Sequence, residues 1–518
     1  MLERLTRAVR GEVEETEGGE SLKEAVRHDY STTEHGIVPL DKRKPIWHLA
    51  AIIFTLEAGF VYIFLGFTLN EAGFTLPATT VILVVGAGFY IIYGAFAAYL
   101  GSRTGQTHAL NSRSIFGVAG SVVVSVMIIF TQTGWTGFQA NLTAQLFNGL
   151  YGWGNVLLIG VILAVVMVAN NLFGFTGISV FARYIVAPLM LLWVTYLVIK
   201  GLTTEPSRVL DAHPHVVSSL AWPAAVTSVI GLAMWGTEPD FWRFARPRFW
   251  PPVGVYVFAM VFGIMINGLA GWITAQIAKT AAFGPAIHTI TNYSLWGATW
   301  LAFILVVLGQ WSVNDGNYYE VINAAQNLVG GARRWKRVYT CLIAAGLAGL
   351  AAWIVPYVFT NGFEKVASFG AIGTPTATMI MAADHFVLPR LFKISRPMTR
   401  VPAWRVTAIA NWPALIALVG AVVFGAWGTG IFPGENPSTV WGIASVEAWV
   451  LGAVGYVALV AIVRVVVPNV KVWLGFSLPA RELTGDGLGG GEPIDVTSEG
   501  EVPPPRVEPV PATEPVVS

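Results

Sequence analysis

The chain carries a single cysteine, Cys341, among 518 residues, and it lies in an apolar stretch. One thiol can neither close a disulfide within the chain nor build a thiolate metal cluster, so it reads as a small buried side chain. Charge is scarce as well: Asp, Glu, Lys and Arg make up 12% of the residues, against about 25% in soluble domains. That excludes a soluble enzyme of charged amphipathic helices and short strands. The 8 histidines are scattered, and no Ser, His and Asp set shares a helix face, so neither a nucleophile nor a metal-ligand cluster forms at one depth. The first 40 residues lack the short apolar core and small-residue cleavage site of a signal peptide, and no segment is expected to be removed. A formal net charge of +1 points to no nucleic-acid partner.

What the chain has in excess is apolar length, with 54% hydrophobic residues and a mean hydropathy of +0.62. Twelve apolar segments of membrane-crossing length recur, at 46–69, 76–100, 115–147, 155–175, 178–199, 220–242, 253–278, 295–328, 338–359, 363–388, 403–427 and 441–467. The fold class expected is therefore an all-α integral membrane protein with twelve transmembrane helices. Residues 1–45 read as a cytoplasmic arm, largely disordered, 46–400 as a transport core, 401–478 as two further helices, and 479–518 as a disordered cytoplasmic tail rich in Gly, Pro, Glu and Val. Of the 31 Lys and Arg residues, all but Lys200, Arg208, Lys279 and Lys365 fall on one side of this threading. Basic residues gather on the cytoplasmic side, so both termini are expected there, in a multi-pass protein of the plasma membrane.

Glu57 interrupts the first span about 16 Å from its start, near the middle of the hydrocarbon core. A carboxylate at that depth costs roughly 3 kcal/mol or more unless it faces a polar cavity, and such residues serve transport or proton relay. The run Glu57-Ala58-Gly59 in the first span is matched in the sixth by Gly236-Thr237-Glu238-Pro239-Asp240, where Pro239 removes a backbone donor. Each break opens a block of five spans, 46–199 and 220–388. Broken helices in corresponding positions of two halves point to inverted repeats with the substrate site between them. The third span of each block carries a polar and aromatic cluster: Gln132 and Trp135 in one, Gln310, Trp311, Ser312, Asn314 and Asp315 in the other. An indole face and a carboxamide edge suit a flat, polar heterocycle. The same amides also suit bonds between neighbouring helices.

Several stretches carry a resemblance. Gly101-Ser102-Arg103-Thr104-Gly105-Gln106-Thr107, Thr131-Gln132-Thr133-Gly134-Trp135, Asp240-Phe241-Trp242-Arg243-Phe244, Trp311-Ser312-Val313-Asn314-Asp315 and Ala383-Asp384-His385-Phe386 together resemble the nucleobase:cation symporters, which include cytosine permeases and hydantoin transporters. The likeness spans about 46–400. It implies the five-plus-five inverted-repeat fold known from LeuT, with two extra C-terminal helices, and cation-coupled uptake of a nucleobase or related heterocycle. It also implies substrate contacts at Gln132, Trp135 and Asn314, with Gly59 at the first break. A possible sodium site is implied at the carbonyls of Thr55 and Ala58 with Ser312 on the eighth span, and Asp315 is a further cation-binding or coupling candidate.

The chain departs from that pattern at three places. Val313 follows Ser312 where sodium-coupled relatives have a second hydroxyl, so one oxygen ligand is missing, and Glu57 falls between Thr55 and Ala58. A proton taken by Glu57 is favoured over sodium as the coupling ion, and no cofactor is expected. The position of a stacking aromatic on the sixth span falls at Gly231 or Leu232, leaving Trp235 as the nearest ring. Tyr318 stands where hydantoin transporters have a substrate-binding Asn, so Asn314 or Asn317 would serve. Glu238 is open to three roles: substrate contact, proton acceptor, or lining of an inward vestibule. Asp240 with Arg243 reads as a structural pair, and Asp384 with His385 as a structural or inner-gate pair. The alternative cargo is a cationic or amine-bearing substrate, such as a polyamine or thiamine precursor; a channel or a membrane enzyme fits the sequence less well.

Overall fold

The computed structural model describes residues 36–210, 221–233, 236–280, 283–293, 298–329, 337–358, 363–396, 409–429, 442–467 and 473–474. Among them there is no strand. The first span is two helices, α1 (Ile46–Leu56) and α2 (Phe60–Glu71), bent by 45° at the residues between. Next come α3 (Leu76–Thr104) and α4 (His108–Tyr151). Thr75 caps α3 by accepting from the Ala78 amide, and Gly105, at φ +66°, ends it in the left-handed conformation that costs glycine least. Thr107 restarts the chain as the cap of α4, which kinks at Gly117, at φ 79°.

The chain continues through α5 (Val156–Val166), α6 (Gly174–Phe181), α7 (Ala187–Thr204), the short α8 (Pro206–Leu210) and α9 (Ala221–Ala233). After α10 (Pro239–Trp242) follow α11 (Trp250–Ala259), α12 (Ile266–Ala278), α13 (Phe283–Tyr293), α14 (Thr299–Val329), α15 (Arg337–Val358), α16 (Phe363–Ala382), α17 (Leu388–Phe392), α18 (Trp412–Gly428) and α19 (Ala444–Val466). Single π-helical turns at Ala182–Val186, Met260–Met265 and Ala383–Val387 join α6 to α7, α11 to α12, and α16 to α17. Among the described residues, six stretches are long and apolar enough to cross a membrane, and the bent α1–α2 pair makes a seventh.

Several boundaries differ from the sequence reading. The fourth span ends at Val166, because a 3-10 turn over Ala169–Phe173 follows and Asn170 and Asn171 of that turn bond Asp315 on α14. The fifth then starts at Gly174. The eleventh starts at Trp412 rather than 403, where Asn411 caps it and Pro413 fits the first turn. A helix not expected from the sequence, α13, lies between the seventh and eighth spans. The last part of the N-terminal arm packs on the body. Val38 is fully buried, and the Arg43 guanidinium donates to the carbonyls of Val38, Ser102 and Ala245 at 2.6–2.9 Å. Burial, with Arg243 adding its charge, lowers that guanidinium to about 10, so it stays charged at neutral pH. Residues 1–35 and 479–518 lie outside the described residues.

The tightest helix crossing sets α2 on α12. A methyl group added at Gly271 would sit 1.9 Å from the Ile63 carbonyl oxygen, and one at Gly66 would sit 2.1 Å from that of Gly268. Backbone cannot yield as a side-chain tip does, so Gly271→Ala should destabilise the protein by about 1–3 kcal/mol. Gly346→Ala, where nothing lies within 4 Å, is the control. Thermal unfolding of both variants in detergent checks this, and equal midpoints would refute it.

Candidate functional site

Three residues, Glu57, Ala58 and Gly59, separate α1 from α2 and turn to two different sides. A methyl group on Gly59 would meet Val313 Cγ2 at 2.5 Å and Gln310 Oε1 at 3.2 Å, and the Ala58 carbonyl lies 3.5 Å from the Cβ position of Gly309. These two therefore face α14. Glu57 packs against Gly263 in the π turn before α12, its Cβ 2.8 Å from where a Gly263 methyl would lie. The sixth span breaks in a related way. Gly236 takes φ +78° against Thr374 and Pro375 of α16, and Pro239 opens α10. Trp235 lies outside the described residues.

Between the breaks is a small half-open cavity, with about 250 Å³ of space that includes open solvent. Its walls are Val61 and Tyr62 of α2, Gln132, Trp135 and Gln139 of α4, Leu232 of α9 and Asn317 of α14. Trp135 is held edge-on to Phe138, ring centres 5.8 Å apart, and its Nε1 side is approached by Gly370 of α16. The Gln139 Oε1 atom is buried and makes no hydrogen bond among the described residues. Asn317, rather than Asn314, is the amide of the eighth span in the wall. Asn314 sits behind it, accepting from Asn317 Nδ2 at 3.1 Å and placing its own Nδ2 3.1 Å from the Met167 sulfur. Gly231 is buried beside Leu232 and does not line the space.

The residues expected around a coupling ion divide. The Thr55 hydroxyl donates to the Ile52 carbonyl at 2.9 Å. Ser312 Oγ and both polar atoms of Gln310 are buried and unbonded among the described residues. Asp315 turns from the cavity, taking the Asn170 amide at 2.8 Å. Glu57, wholly buried, faces phenols instead. Its charge acts on Tyr62, Tyr90 and Tyr256, and it meets the Tyr62 hydroxyl, which also donates to the Leu56 carbonyl.

Glu238 belongs to the same chamber. It accepts from Tyr93 Oη at 2.9 Å, Tyr90 Oη at 3.5 Å and the Gly236 amide at 3.2 Å. Tyr90 and Tyr256 feel both carboxylates. Two acids thus act on the same buried phenols, and Tyr62, which meets Glu57, also lines the cavity. Asp240, two residues on, takes the His108 amide and Asn323 Nδ2, while Arg243 donates to Tyr319 Oη at 2.6 Å.

Sequence reasoning missed the phenols, Gln139 and Glu320. Tyr90 and Tyr93 are three apart, and Gln139 lies four beyond Trp135 and seven beyond Gln132. Both are same-face spacings, and that of Gln139 marks it as a partner of residues already singled out.

A model of a family described as permeases for cytosine/purines, uracil, thiamine and allantoin matches residues 38–467. The cytosine permease of Escherichia coli strain K12 is 26% identical over 405 residues, 77% of this chain and 90% of the relative, and that of strain O157:H7 aligns equally well. Among solved structures, Mhp1, a nucleobase-cation-symport-1 family transporter in a closed conformation with bromovinylhydantoin bound, superposes with a TM-score of 0.67 at 17% identity, covering 84% of this chain and 96% of that one. Its inward-facing form gives 0.64. A sodium-coupled sialic acid symporter gives 0.57 at 9% identity. The helical, LeuT-like architecture expected from the sequence is the one these transporters share.

Proposed function

The chain belongs to the cytosine/purine permease family of nucleobase:cation symporters, is a transporter rather than an enzyme, and, we propose, carries a nucleobase-sized planar N-heterocycle across the plasma membrane together with a proton. One observation supports this most: Trp135, Gln132, Gln139 and Asn317 converge on a single small cavity flanked by the two broken spans. The indole offers a stacking face and the three amides offer donors and acceptors to the ring edge. Neither Glu57 nor Glu238 is in the wall, which disfavours a cationic or amine-bearing cargo.

Proton coupling draws its support from the surroundings of Glu57. Its carboxylate lies among phenols with a second acid, turned from the side on which Ala58 faces α14 and Ser312. Glu57 and Glu238, which act on the same two phenols, are the groups there able to hold a proton. Tyr62 touches both cavity and carboxylate, so a ring seated against it alters the setting of Glu57. We place the two breaks in repeats 46–199 and 220–388 of a twelve-span protein, with both termini cytoplasmic and the last two spans outside the core.

A thermal-shift screen of the purified protein against cytosine, adenine, uracil, hydantoin and a polyamine, with and without sodium and across pH, tests the reading. A ligand bound only by the folded state raises the apparent midpoint. Stabilisation by the polyamine alone would overturn it. Trp135→Ala should weaken binding of the stabilising base by about 1–3 kcal/mol, the usual worth of one stack, measured by calorimetry. An unchanged Kd removes Trp135 from the site.

A further inference from the structure

Glu320 lies on α14 one turn beyond the cavity residue Asn317, and none of the roles above uses it. Its side chain is wholly buried, and neither carboxylate oxygen completes a hydrogen bond among the described residues. The Thr237 hydroxyl of the sixth-span break faces it, close enough to act on the carboxylate though short of a well-formed hydrogen bond. Asn323, one turn further along α14, has a buried, unbonded Oδ1 while its amide is committed to Asp240.

The charges around Glu320 leave it uncompensated. Asp240 and Glu238, both acidic, act on it from the sixth-span break. The cations nearby are engaged elsewhere: Arg243 donates to Tyr319 Oη, Arg113 of α4 to Asn327, and Arg337 of α15 to the Asn171 carbonyl. The His108 ring bonds the Thr378 hydroxyl. A bare carboxylate in that setting would be a desolvated charge beside two like charges. As a neutral acid the same group gains one O–H donor, and Asn323, one turn along the same helix, carries an unbonded oxygen able to accept.

We propose that Glu320 is a second proton-binding group, one turn beyond the cavity residue Asn317, protonated while the site is closed and releasing its proton when the path along α14 through Asn323 and Asn327 admits water. No bond other than O–H is made or broken: the proton leaves to water at the end of α14 that the charge bias assigns to the cytoplasm. The coupling role rests on the symport proposed above; the protonation does not.

The test is infrared difference spectroscopy of the purified full chain between acid and alkaline pH, with no substrate present, on wild type, Glu57→Gln and Glu320→Gln. The carbonyl stretch of a neutral carboxylic acid should titrate in wild type, and Glu320→Gln should remove one component that Glu57→Gln leaves in place. Identical spectra for wild type and Glu320→Gln overturn the proposal, as does a component that disappears on adding sodium at constant pH, which would give these oxygens to a metal cation. If Glu320→Gln fails to fold, Thr237→Val keeps the carboxyl group and removes its facing hydroxyl. The titration midpoint should then move by about half a pH unit or more, and an unmoved midpoint counts against it equally. In proteoliposomes with cytosine as probe, Glu320→Gln should keep exchange and lose at least about tenfold in proton-driven accumulation. A wild type that ignores every base refutes the substrate reading while leaving the infrared result standing.

Discussion

Glu57→Gln should abolish proton-driven accumulation of substrate while leaving the cavity able to bind it. Glutamine keeps the volume of the side chain against Gly263 and an oxygen for Tyr62, and removes only the site that takes a proton. Wild-type uptake should fall as external pH rises, because the carboxylate must be protonated from outside before the loaded form can turn over. In the variant that dependence should flatten, with accumulation under an inward acid gradient reduced at least about tenfold, a loss equivalent to about 1.4 kcal/mol of coupling. Binding should change little, since Glu57 does not line the cavity. Uptake assays in proteoliposomes with imposed pH or sodium gradients separate the outcomes. A variant that keeps its original pH profile and still requires sodium would transfer the coupling role to a metal ion at the Ala58 carbonyl and Ser312.

The split at the first break explains why Glu57 was legible in the sequence while its partners were not. A lone acid inside an apolar span announces itself by its cost, and so do two breaks at matching places in the chain. Gln132 and Trp135 could be read as a wall because three-residue spacing fixes a shared helix face. Which amide of the eighth span joins them is a matter of a few tens of degrees of rotation about α14. The packing of Gly59 on Val313 and of Asn314 on Met167 sets that angle; periodicity does not. Asp315 looked like a site residue from its place in the motif, yet it holds the turn at Asn170 and Asn171 and shortens the fourth span. The phenol chamber draws Tyr62, Tyr90, Glu238 and Tyr256 from four separate spans, and only the folded chain brings them together.

The same physics that makes Glu57 expensive makes Asp384 a keystone, with the opposite consequence on substitution. Asp384, at the π turn after α16, receives Arg396 Nε on both oxygens, at 2.9 and 3.0 Å, and the Tyr456 hydroxyl of α19. Arg396 spends its remaining donors on the carbonyls of Ser114 and Leu474, so one ion pair ties α4, α16, α19 and the segment after α19. Both partners are nearly inaccessible, at 3% and 1% side-chain exposure. Removing one partner of a buried pair leaves the other as an uncompensated charge, which costs about 3–5 kcal/mol. Asp384→Ala should therefore lower stability by that amount, read from denaturant unfolding in detergent, with Glu57→Gln as a variant whose loss is functional instead. Replacing both members at once, Asp384→Leu with Arg396→Met, should recover most of the loss, because two charges leave the interior together. A single Asp384→Ala variant within about 1 kcal/mol of wild type would mean that water reaches Arg396 and that the four elements are held by apolar packing alone.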